Sequence, residues 1–165
     1  MCSAGLKVGS VIYRPYASGD FDPLYAIEEL CFQPPFRFSR RYMRRLVDRR
    51  NSATWIAEED GRMAGFAIVD WSQEIDGISS YIQTIEVVPD RRGQGVGKEL
   101  LWLIEDSARA EGAHRLWLHV DEFNKAGIRL YESVAFTVQG KEVDYYAPGH
   151  AALIYQKLLE PDSVL

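Results

Sequence analysis

The spacing of apolar residues changes along the chain and predicts helices first and mainly strands after them. Between residues 22 and 32, apolar side chains recur every three or four positions, which is typical of a helix that faces a core. A second such helix is predicted from Ser39, a residue type favoured at helix N-caps, to about Arg50. The FQPPFRF stretch between them contains Pro34 and Pro35 and is predicted to be a loop, because proline cannot supply the main-chain donor of a helix.

Runs rich in Trp, Ile, Val and Phe dominate the rest of the chain and are typical of strands. Asp60-Gly61, between two of these runs, is a strong signal for the tight turn of a β-hairpin. Helical spacing returns from Gly97 to about Glu111 and again behind Asn124, a candidate N-cap. The same patterns predict strands at 8–16, 78–88 and 115–120, a helix at 125–134 and a final pair of strands.

This order of elements predicts a single mixed α/β domain covering residues 1–165. A chain of 165 residues with 47% hydrophobic content can bury one sizeable core. The strands at 78–88 and 115–120 are joined through a helix, so we expect them to be parallel and the crossover to be right-handed. The hairpins elsewhere predict that the remainder of the sheet is largely antiparallel.

Charge and cysteine content narrow the functional classes. The formal net charge of −5 argues against a general nucleic-acid binder, because contacts to phosphates need a basic face. Cys2 and Cys31 are too few for a disulfide framework, and no residue cluster resembles a zinc site, so we expect no metal. With no apolar leader and no run of about 18 apolar residues, we expect a cytoplasmic protein without a membrane partner. The arginine-rich helix SRRYMRRLVDRR predicts either a solvated face or a contact for an acidic peptide or a ribosomal surface.

A glycine-rich turn between a strand and a helix is the main candidate for ligand binding. Its three glycines, at every second position of 93–97, let the main chain approach a ligand, and unpaired amides at a helix start attract anions. The P-loop pattern fails here, because Lys98 is followed by Glu99 and Arg92 stands at the first glycine position. A dinucleotide fingerprint fits poorly as well, since its third glycine comes one residue early and too little chain follows Asp121 for a second half-sheet.

The turn resembles the pyrophosphate-binding turn of the GNAT acetyltransferases. The motif of that family consists of an Arg or Gln, any two residues, a Gly, any one residue, and then a Gly or Ala. The resemblance implies that main-chain amides of the turn hold the pyrophosphate of acetyl-coenzyme A. It also implies a GNAT fold with a sheet splayed at its parallel strand pair, flanked by about four helices. The cofactor-binding residues that the resemblance implies here are Arg92, Gly93, Gln94, Gly95, Val96, Gly97 and Lys98, with main-chain contacts to the pantetheine arm from Ile85 and Val87.

The stretch LWLHVDEFNKAGIRLYESVAF, residues 116–136, extends the resemblance. In this family an Asn precedes a helix that carries a Tyr two turns later, and Asn124 and Tyr131 occupy those positions. The resemblance implies that Asn124 contacts the pantetheine arm and that Tyr131 is the general acid for the leaving thiolate. A plain N-cap and a packed core residue are the structural alternatives. The chain departs from the pattern at Ala135, where glycine is usual, and at Gly127, where alanine is more common.

Further motifs resemble the branch of protein N-terminal acetyltransferases that includes the ribosomal-protein alanine enzymes. His119 falls where that branch carries a Glu or His base, and Tyr81 matches a Tyr that shares the role in some relatives. A histidine with a pKa near 6.5 suits an α-amine of pKa about 7.7–8.0 better than a lysine amine near 10.4. The residues that the resemblance implies for the acceptor site are Phe32, Pro35, Phe36, Tyr145 and Tyr146.

Glu86 is an alternative base, because other acetyltransferases place a glutamate in this strand. Side chains alternate along a regular strand, so Glu86 would face away from a substrate approached by Tyr81. A β-bulge between them would reverse that relation. We therefore rank His119 first and Glu86 second as candidates for the general base.

Three functions remain open from the sequence. The first is acetylation of a protein N-terminal α-amine, with acetyl-coenzyme A as cosubstrate. The second is acetylation of a small amine such as a polyamine, amino acid or antibiotic. The third is a non-catalytic module that only binds acyl-coenzyme A, although the presence of both His119 and Tyr131 argues against it. Either a monomer or a homodimer is compatible with the sequence.

Overall fold

The computed structural model describes residues 10–160 as a seven-stranded sheet with helices packed on both faces. The predicted mixed α/β class and the order of its elements are confirmed. The strands are β1 (Ile12–Pro15), β2 (Ser52–Glu59), β3 (Arg62–Glu74), β4 (Gly77–Val87), β5 (Ala113–Asp121), β6 (Thr137–Ala147) and β7 (His150–Leu158). The helices are α1 (Phe21–Cys31), α2 (Arg40–Asp48), α3 (Val96–Ala110) and α4 (Lys125–Ser133).

Element boundaries differ from the predicted ones by a few residues, each for a local reason. The predicted strand at 8–16 begins at Ile12, and its first two residues lie outside the described part of the chain. Helix α2 ends at Asp48 because the Ser52 hydroxyl donates to the carbonyls of Leu46 and Arg49, at 3.1 and 2.7 Å, and turns the chain into β2. The Asp60-Gly61 turn has positive φ at both residues, as a tight hairpin requires.

The sheet runs in the order β1-β2-β3-β4-β5-β7-β6 and is antiparallel except at the central pair β4–β5. The parallel pairing predicted for these two strands is therefore confirmed. Pairing between them ends at Tyr81 and Trp117, although β4 continues to Val87 and β5 to Asp121. The two strands thus diverge at their carboxyl ends and open a wedge in the middle of the sheet.

Two apolar clusters hold the helices against the sheet. Helix α3 buries Leu100, Leu101 and Ile104 on one face, together with Leu116 and Leu118 of β5. Helices α1 and α2 cover the other face above β2 and β3, through Phe21, Leu24, Ile27, Met43 and Leu46 on Ile56, Phe66 and Ile68. The wedge between β4 and β5 lies between these helical layers, so rigid elements surround it.

Strand β4 carries a β-bulge at Gln83. Ile68 of β3 pairs with Thr84, and the next residue of β3, Val69, pairs with Ile82, so Gln83 is an extra residue. Side chains alternate along a regular strand, and one inserted residue reverses the alternation beyond it. Tyr81 and Glu86 consequently face the same side of the sheet, the side covered by α1 and α2.

The arginine-rich helix α2 is largely engaged with the chain itself. Arg44 lies over the ring of Phe21 at 3.7 Å, and Arg40 lies over the same ring at 5.0 Å. Arg49 forms an ion pair with Asp70 of β3 at 2.8 Å. These contacts favour a structural use for much of the basic run. Within residues 10–160, no helix has both the length and the apolar character needed to cross a membrane.

Candidate active site

The wedge between β4 and β5 opens into a cleft of about 1530 Å³ that brings most of the predicted site residues together. Two predicted cofactor residues are not part of its lining. The side chain of Val96 is buried in the core, and Gln94 donates from its side chain to the Asp90 carbonyl at 3.3 Å. Cleft-lining residues from the predicted set are Phe32, Pro35, Phe36, Tyr81, Ile85, Glu86, Val87, Arg92, Gly93, Gly95, Gly97, Lys98, His119, Asn124, Tyr131, Tyr145 and Tyr146.

One end of the cleft is formed by the glycine turn and the first residues of α3. Gly93 and Gly95 have φ of 75° and 86°, in the left-handed region that favours glycine. A Cβ at either residue would meet no atom within 4 Å, so both stand against open space. Among the described residues, none accepts a hydrogen bond from the N–H groups of residues 93–95. Free amides at the start of a 15-residue helix are suited to an anion.

The main chain of β4 lines the side of the cleft. The N–H of Val88 donates to Ala64 of β3 at 2.9 Å. Main-chain groups alternate in direction along a strand, so the N–H groups of Ile85 and Val87 point into the wedge. The carbonyl of Val87 accepts a hydrogen bond from Arg92 Nε at 3.0 Å, which folds the arginine back across the end of the strand.

Tyr81 and His119 meet where the two strands begin to diverge. The Tyr81 hydroxyl lies 2.9 Å from Nδ1 of His119, and the rings of both residues contact Trp117, at 4.7 and 5.4 Å. Burial, followed by the neighbouring Tyr145 and Tyr146, raises the pKa of Tyr81 well above its usual value. Tyr81 therefore keeps its proton at neutral pH and can act as a hydrogen-bond donor or as a proton relay.

Aromatic side chains from two separate elements border the opposite end of the cleft. Tyr145 stacks on His119 with ring centroids 4.3 Å apart and an interplanar angle of 8°. Tyr146 contacts Phe36 of the α1–α2 loop at 5.5 Å, and Phe36 in turn contacts His150 at 5.0 Å. The β6–β7 hairpin and the α1–α2 loop thus meet over the site.

Glu86 lies deeper, beside a second buried carboxyl on α1. Glu86 is 3% exposed and Glu28 is fully buried, and one oxygen of each carboxyl has no hydrogen-bond partner among the described residues. Burial, and then hydrogen bonding to Glu28, raises the pKa of Glu86 well above its usual value. Burial beside a second carboxyl therefore disfavours the ionised form of Glu86.

Helix α4 carries the last two predicted residues. Tyr131 is 8% exposed and packs against Phe136 at 5.7 Å, and burial raises the pKa of its hydroxyl. Asn124 caps the helix, because its Oδ1 accepts from the N–H of Gly127 at 3.0 Å. A Cβ on Gly127 would lie 2.7 Å from the Asn124 side chain, which explains why glycine replaces the more common alanine.

Three residues of the site have no counterpart in the sequence-based prediction. Trp117 shares a face with His119, and the alternation along β5 could have identified it. Glu28 pairs with Glu86 from α1, and Glu142 contacts Nε2 of His119 at 3.0 Å from β6. Both carboxylates come from distant elements, and only the folded chain reveals these pairings.

Comparison with known proteins agrees with this geometry. The model of the acetyltransferase (GNAT) family matches residues 21–136, from the start of α1 to the end of the α4 cap. The chain belongs to the GNAT family. This membership places it among acyltransferases.

Relatives of this GNAT chain act on different acceptors. This chain is 37% identical over 100 residues to the streptothricin acetyltransferase of Streptomyces lavendulae. The match covers 58% of this chain and half of that protein. The chain superposes on the ribosomal-protein-S18-alanine N-acetyltransferase of Escherichia coli with a TM-score of 0.78 and 25% identity, covering 94% of this chain and 99% of that one. Arabidopsis thaliana NAA60 in complex with acetyl-CoA shares the fold, with a TM-score of 0.80 and 21% identity over 91% of this chain and 99% of that one.

Proposed function

We propose that this GNAT chain transfers an acetyl group from acetyl-coenzyme A to the α-amine of a protein N-terminus. The observation that carries the proposal is the Tyr81–His119 pair, joined at 2.9 Å where β4 and β5 diverge. In this proposal the pair supplies a proton acceptor where a ligand lying in the wedge would meet an acceptor amine entering from the aromatic end.

The residues of the wedge fit acetyl-coenzyme A. Free amides at residues 93–98 and the open space beside Gly93 and Gly95 suit its pyrophosphate. The N–H groups of Ile85 and Val87 suit the pantetheine arm, and Asn124 lines the same cleft. When bound, acetyl-coenzyme A supplies an activated acetyl thioester. No metal is needed in this proposal, because the proton transfers are assigned to side chains.

The acceptor must lose a proton before its nitrogen can form a bond to carbon. An α-amine with a pKa of about 7.7–8.0 is about one-tenth neutral at pH 7, whereas a lysine amine is neutral in only about one molecule in two thousand. We assign the removal of this proton to His119 acting with Tyr81. Glu86 is not assigned this role, because burial beside Glu28 disfavours the ionised form that a base needs.

Tyr131 is assigned the return of a proton to the coenzyme A sulfur. Its high pKa keeps the hydroxyl protonated, and it lines the cleft on α4. The acceptor enters as an ammonium and leaves as an amide, so it releases two protons. One passes to His119 and then to water, and the other replaces the proton that Tyr131 gives to sulfur.

A small cationic amine is the second candidate acceptor. The 37% identity to the streptothricin acetyltransferase of Streptomyces lavendulae favours it, since that relative is named for a small-molecule acceptor. The aromatic border formed by Phe36, Tyr145 and Tyr146 is compatible with either acceptor, as flat apolar walls bind a peptide main chain or a ring.

Release of the coenzyme A thiol against a panel of amines tests the proposal. The panel pairs each peptide, varied in its first two residues, with the same peptide blocked at its N-terminus but carrying a lysine. Polyamines, amino acids and a streptothricin-type antibiotic complete the panel. We expect the unblocked peptides to give the highest kcat/KM, and substitution of His119→Ala or Tyr131→Phe to lower their kcat.

Each alternative outcome has a distinct pattern. Equal rates with blocked and unblocked peptides would identify the lysine side chain, rather than the N-terminal α-amine, as the acceptor. Higher kcat/KM for a free small amine than for every peptide would support the second candidate. Binding of acetyl-coenzyme A without transfer to any amine would overturn the proposal itself.

A further inference from the structure

His119 is held at both ring nitrogens by different strands. Nδ1 lies 2.9 Å from the Tyr81 hydroxyl on β4, and Nε2 lies 3.0 Å from Oε1 of Glu142 on β6. Tyr145 stacks flat on the imidazole, and the His119 side chain is only 9% exposed. The ring is thus fixed in orientation, with a carboxylate at one nitrogen and a hydroxyl at the other.

The two partners determine which nitrogen carries the proton. An ionised carboxylate can only accept hydrogen bonds, so the contact with Glu142 requires a hydrogen on Nε2. A neutral imidazole has one N–H, which leaves Nδ1 with a lone pair. The Tyr81 hydroxyl can then donate to Nδ1. The opposite arrangement would set the Nε2 lone pair against a negative charge.

A second β-bulge, at Gln139, brings Glu142 to this position. Val138 of β6 pairs with Tyr155, and the next pair is Gly140 with Ile154, so Gln139 is the extra residue. Without this insertion, Lys141 would pair with Ala152 on the face that carries His119, and Glu142 would face the other way. One inserted residue therefore exchanges a cation for a carboxylate beside the imidazole.

We propose that Glu142 is a positioning residue for the reaction, which fixes the Nε2–H form of His119 and so leaves Nδ1 as the proton acceptor behind Tyr81. The acceptor ammonium gives its proton to the Tyr81 oxygen as the Tyr81 proton passes to Nδ1. The resulting imidazolium is stabilised by the carboxylate of Glu142, in the way that a buried acid orients and stabilises a catalytic histidine. After the product leaves, the Nδ1 proton returns through the Tyr81 hydroxyl to water in the cleft, which restores the Nε2–H form of His119.

This inference rests on the proposed amine acetylation, but one of its tests needs no substrate. Nitrogen-15 spectra of the imidazoles distinguish a protonated from a bare ring nitrogen. The chain has three histidines, and a His119→Phe variant identifies the resonances of His119. We expect Nε2–H in the wild type and in Glu142→Gln, which keeps an accepting oxygen, and a mixture of both forms in Glu142→Leu.

Steady-state kinetics on the best amine from the panel supply the second test. We expect kcat to fall about tenfold to a hundredfold in Glu142→Leu, as for other residues that orient a functional histidine, and less in Glu142→Gln. The KM for acetyl-coenzyme A should not change. Glu122→Gln is the matched control, because it removes a nearby carboxylate that pairs with Lys141 at 2.7 Å and not with His119. Its kcat should remain that of the wild type.

The outcomes test the role of Glu142 separately from the proposed acetylation. A wild-type His119 that carries its proton on Nδ1 overturns the inference whether or not an amine is found. The expected spectra with an unchanged kcat in Glu142→Leu overturn it too, since the tautomer would then have no effect on the reaction. A wild type that acetylates no amine overturns the proposed function and, with it, the role of Glu142 in catalysis, while the spectra still decide the tautomer.

Discussion

Glu86 and Glu28 show how burial decides the role of a single residue. In the sequence, a carboxylate on β4 is a plausible proton acceptor for an amine. In the fold, the bulge at Gln83 turns Glu86 to the substrate side, as a base would require. The same bulge, however, buries it beside Glu28, and burial disfavours the ionised form that a base needs.

The substitution Glu86→Gln should make the protein more stable at neutral pH. The folded pKa of Glu86 lies above its unfolded value of about 4.3, so the folded state holds a proton that the unfolded state releases. Its contribution to stability is therefore complete below about pH 4.3 and is lost as the pH rises towards the folded pKa. Denaturant unfolding from pH 4 to 8 should give a flatter dependence of the free energy of unfolding on pH for Glu86→Gln, with a gain in stability at pH 7.

The same variant tests the assignment of the base. Because burial disfavours the ionised form of Glu86, we expect Glu86→Gln to keep most of the wild-type kcat on the best amine. A loss of kcat as large as that of His119→Ala, without loss of stability, would identify Glu86 as the proton acceptor instead.

At the scale of the element, the end of α4 shows a strained cap. Ala135 has φ of 72°, in the left-handed region that the family pattern fills with glycine. The cap nevertheless forms, since the N–H of Phe136 donates to the Tyr131 carbonyl at 3.1 Å and that of Ala135 to the Glu132 carbonyl at 3.3 Å. The sequence departs from the family pattern at Ala135, and the fold nevertheless retains the cap in strained form.

Substitution of Ala135→Gly should relieve this strain. An alanine in the left-handed region costs about 1–2 kcal/mol relative to a relaxed conformation, and glycine avoids most of that penalty. We expect a gain of about 1 kcal/mol in the free energy of unfolding and a rise in Tm of about 2–4 °C. The control is Ala110→Gly in the last turn of helix α3, where glycine should destabilise. A lower Tm for Ala135→Gly would contradict the account of the cap.

Most elements could be predicted from the sequence, whereas the bulge in β4 could only be left open and the bulge in β6 was not predicted. Apolar spacing and capping residues locate α1–α4, and the Asp60-Gly61 turn locates the first hairpin, because each depends on neighbouring residues. A bulge depends on how two strands pair, and nothing in the residues around Gln83 or Gln139 marks an insertion. Each bulge reverses which side chains face the cleft, so Glu86 and Glu142 required the folded chain.

For the whole molecule, the site lies between parts that fold together. The turn at the start of α3, the end of β4 and the α4 cap all line one cleft, so a ligand there contacts three parts of the core. A ligand that binds only the folded state stabilises it by RT ln(1 + [L]/Kd), about 2.7 kcal/mol at one hundred times Kd. Acetyl-coenzyme A should therefore raise Tm by about 5–10 °C under those conditions.

Two glycine substitutions separate the backbone effect from the ligand effect. Gly95 and Gly149 have φ of 86° and 79°, and a Cβ at either meets no atom within 4 Å, but only Gly95 lines the cleft. Without ligand, Gly95→Ala and Gly149→Ala should lose similar stability, about 1 kcal/mol, because both force alanine into the left-handed region.

With acetyl-coenzyme A present, the two variants should diverge. The methyl group at residue 95 would occupy the space beside the turn amides, where the pyrophosphate is proposed to bind, so Gly95→Ala should lose most of the ligand-induced rise in Tm. Gly149→Ala should keep it in full, since its turn joins β6 to β7 away from the glycine turn. The backbone penalty lowers the Tm of both variants without ligand, but it does not change how much the ligand raises Tm. Equal ligand-induced rises in Tm for the two variants would therefore mean that acetyl-coenzyme A binds elsewhere on the molecule.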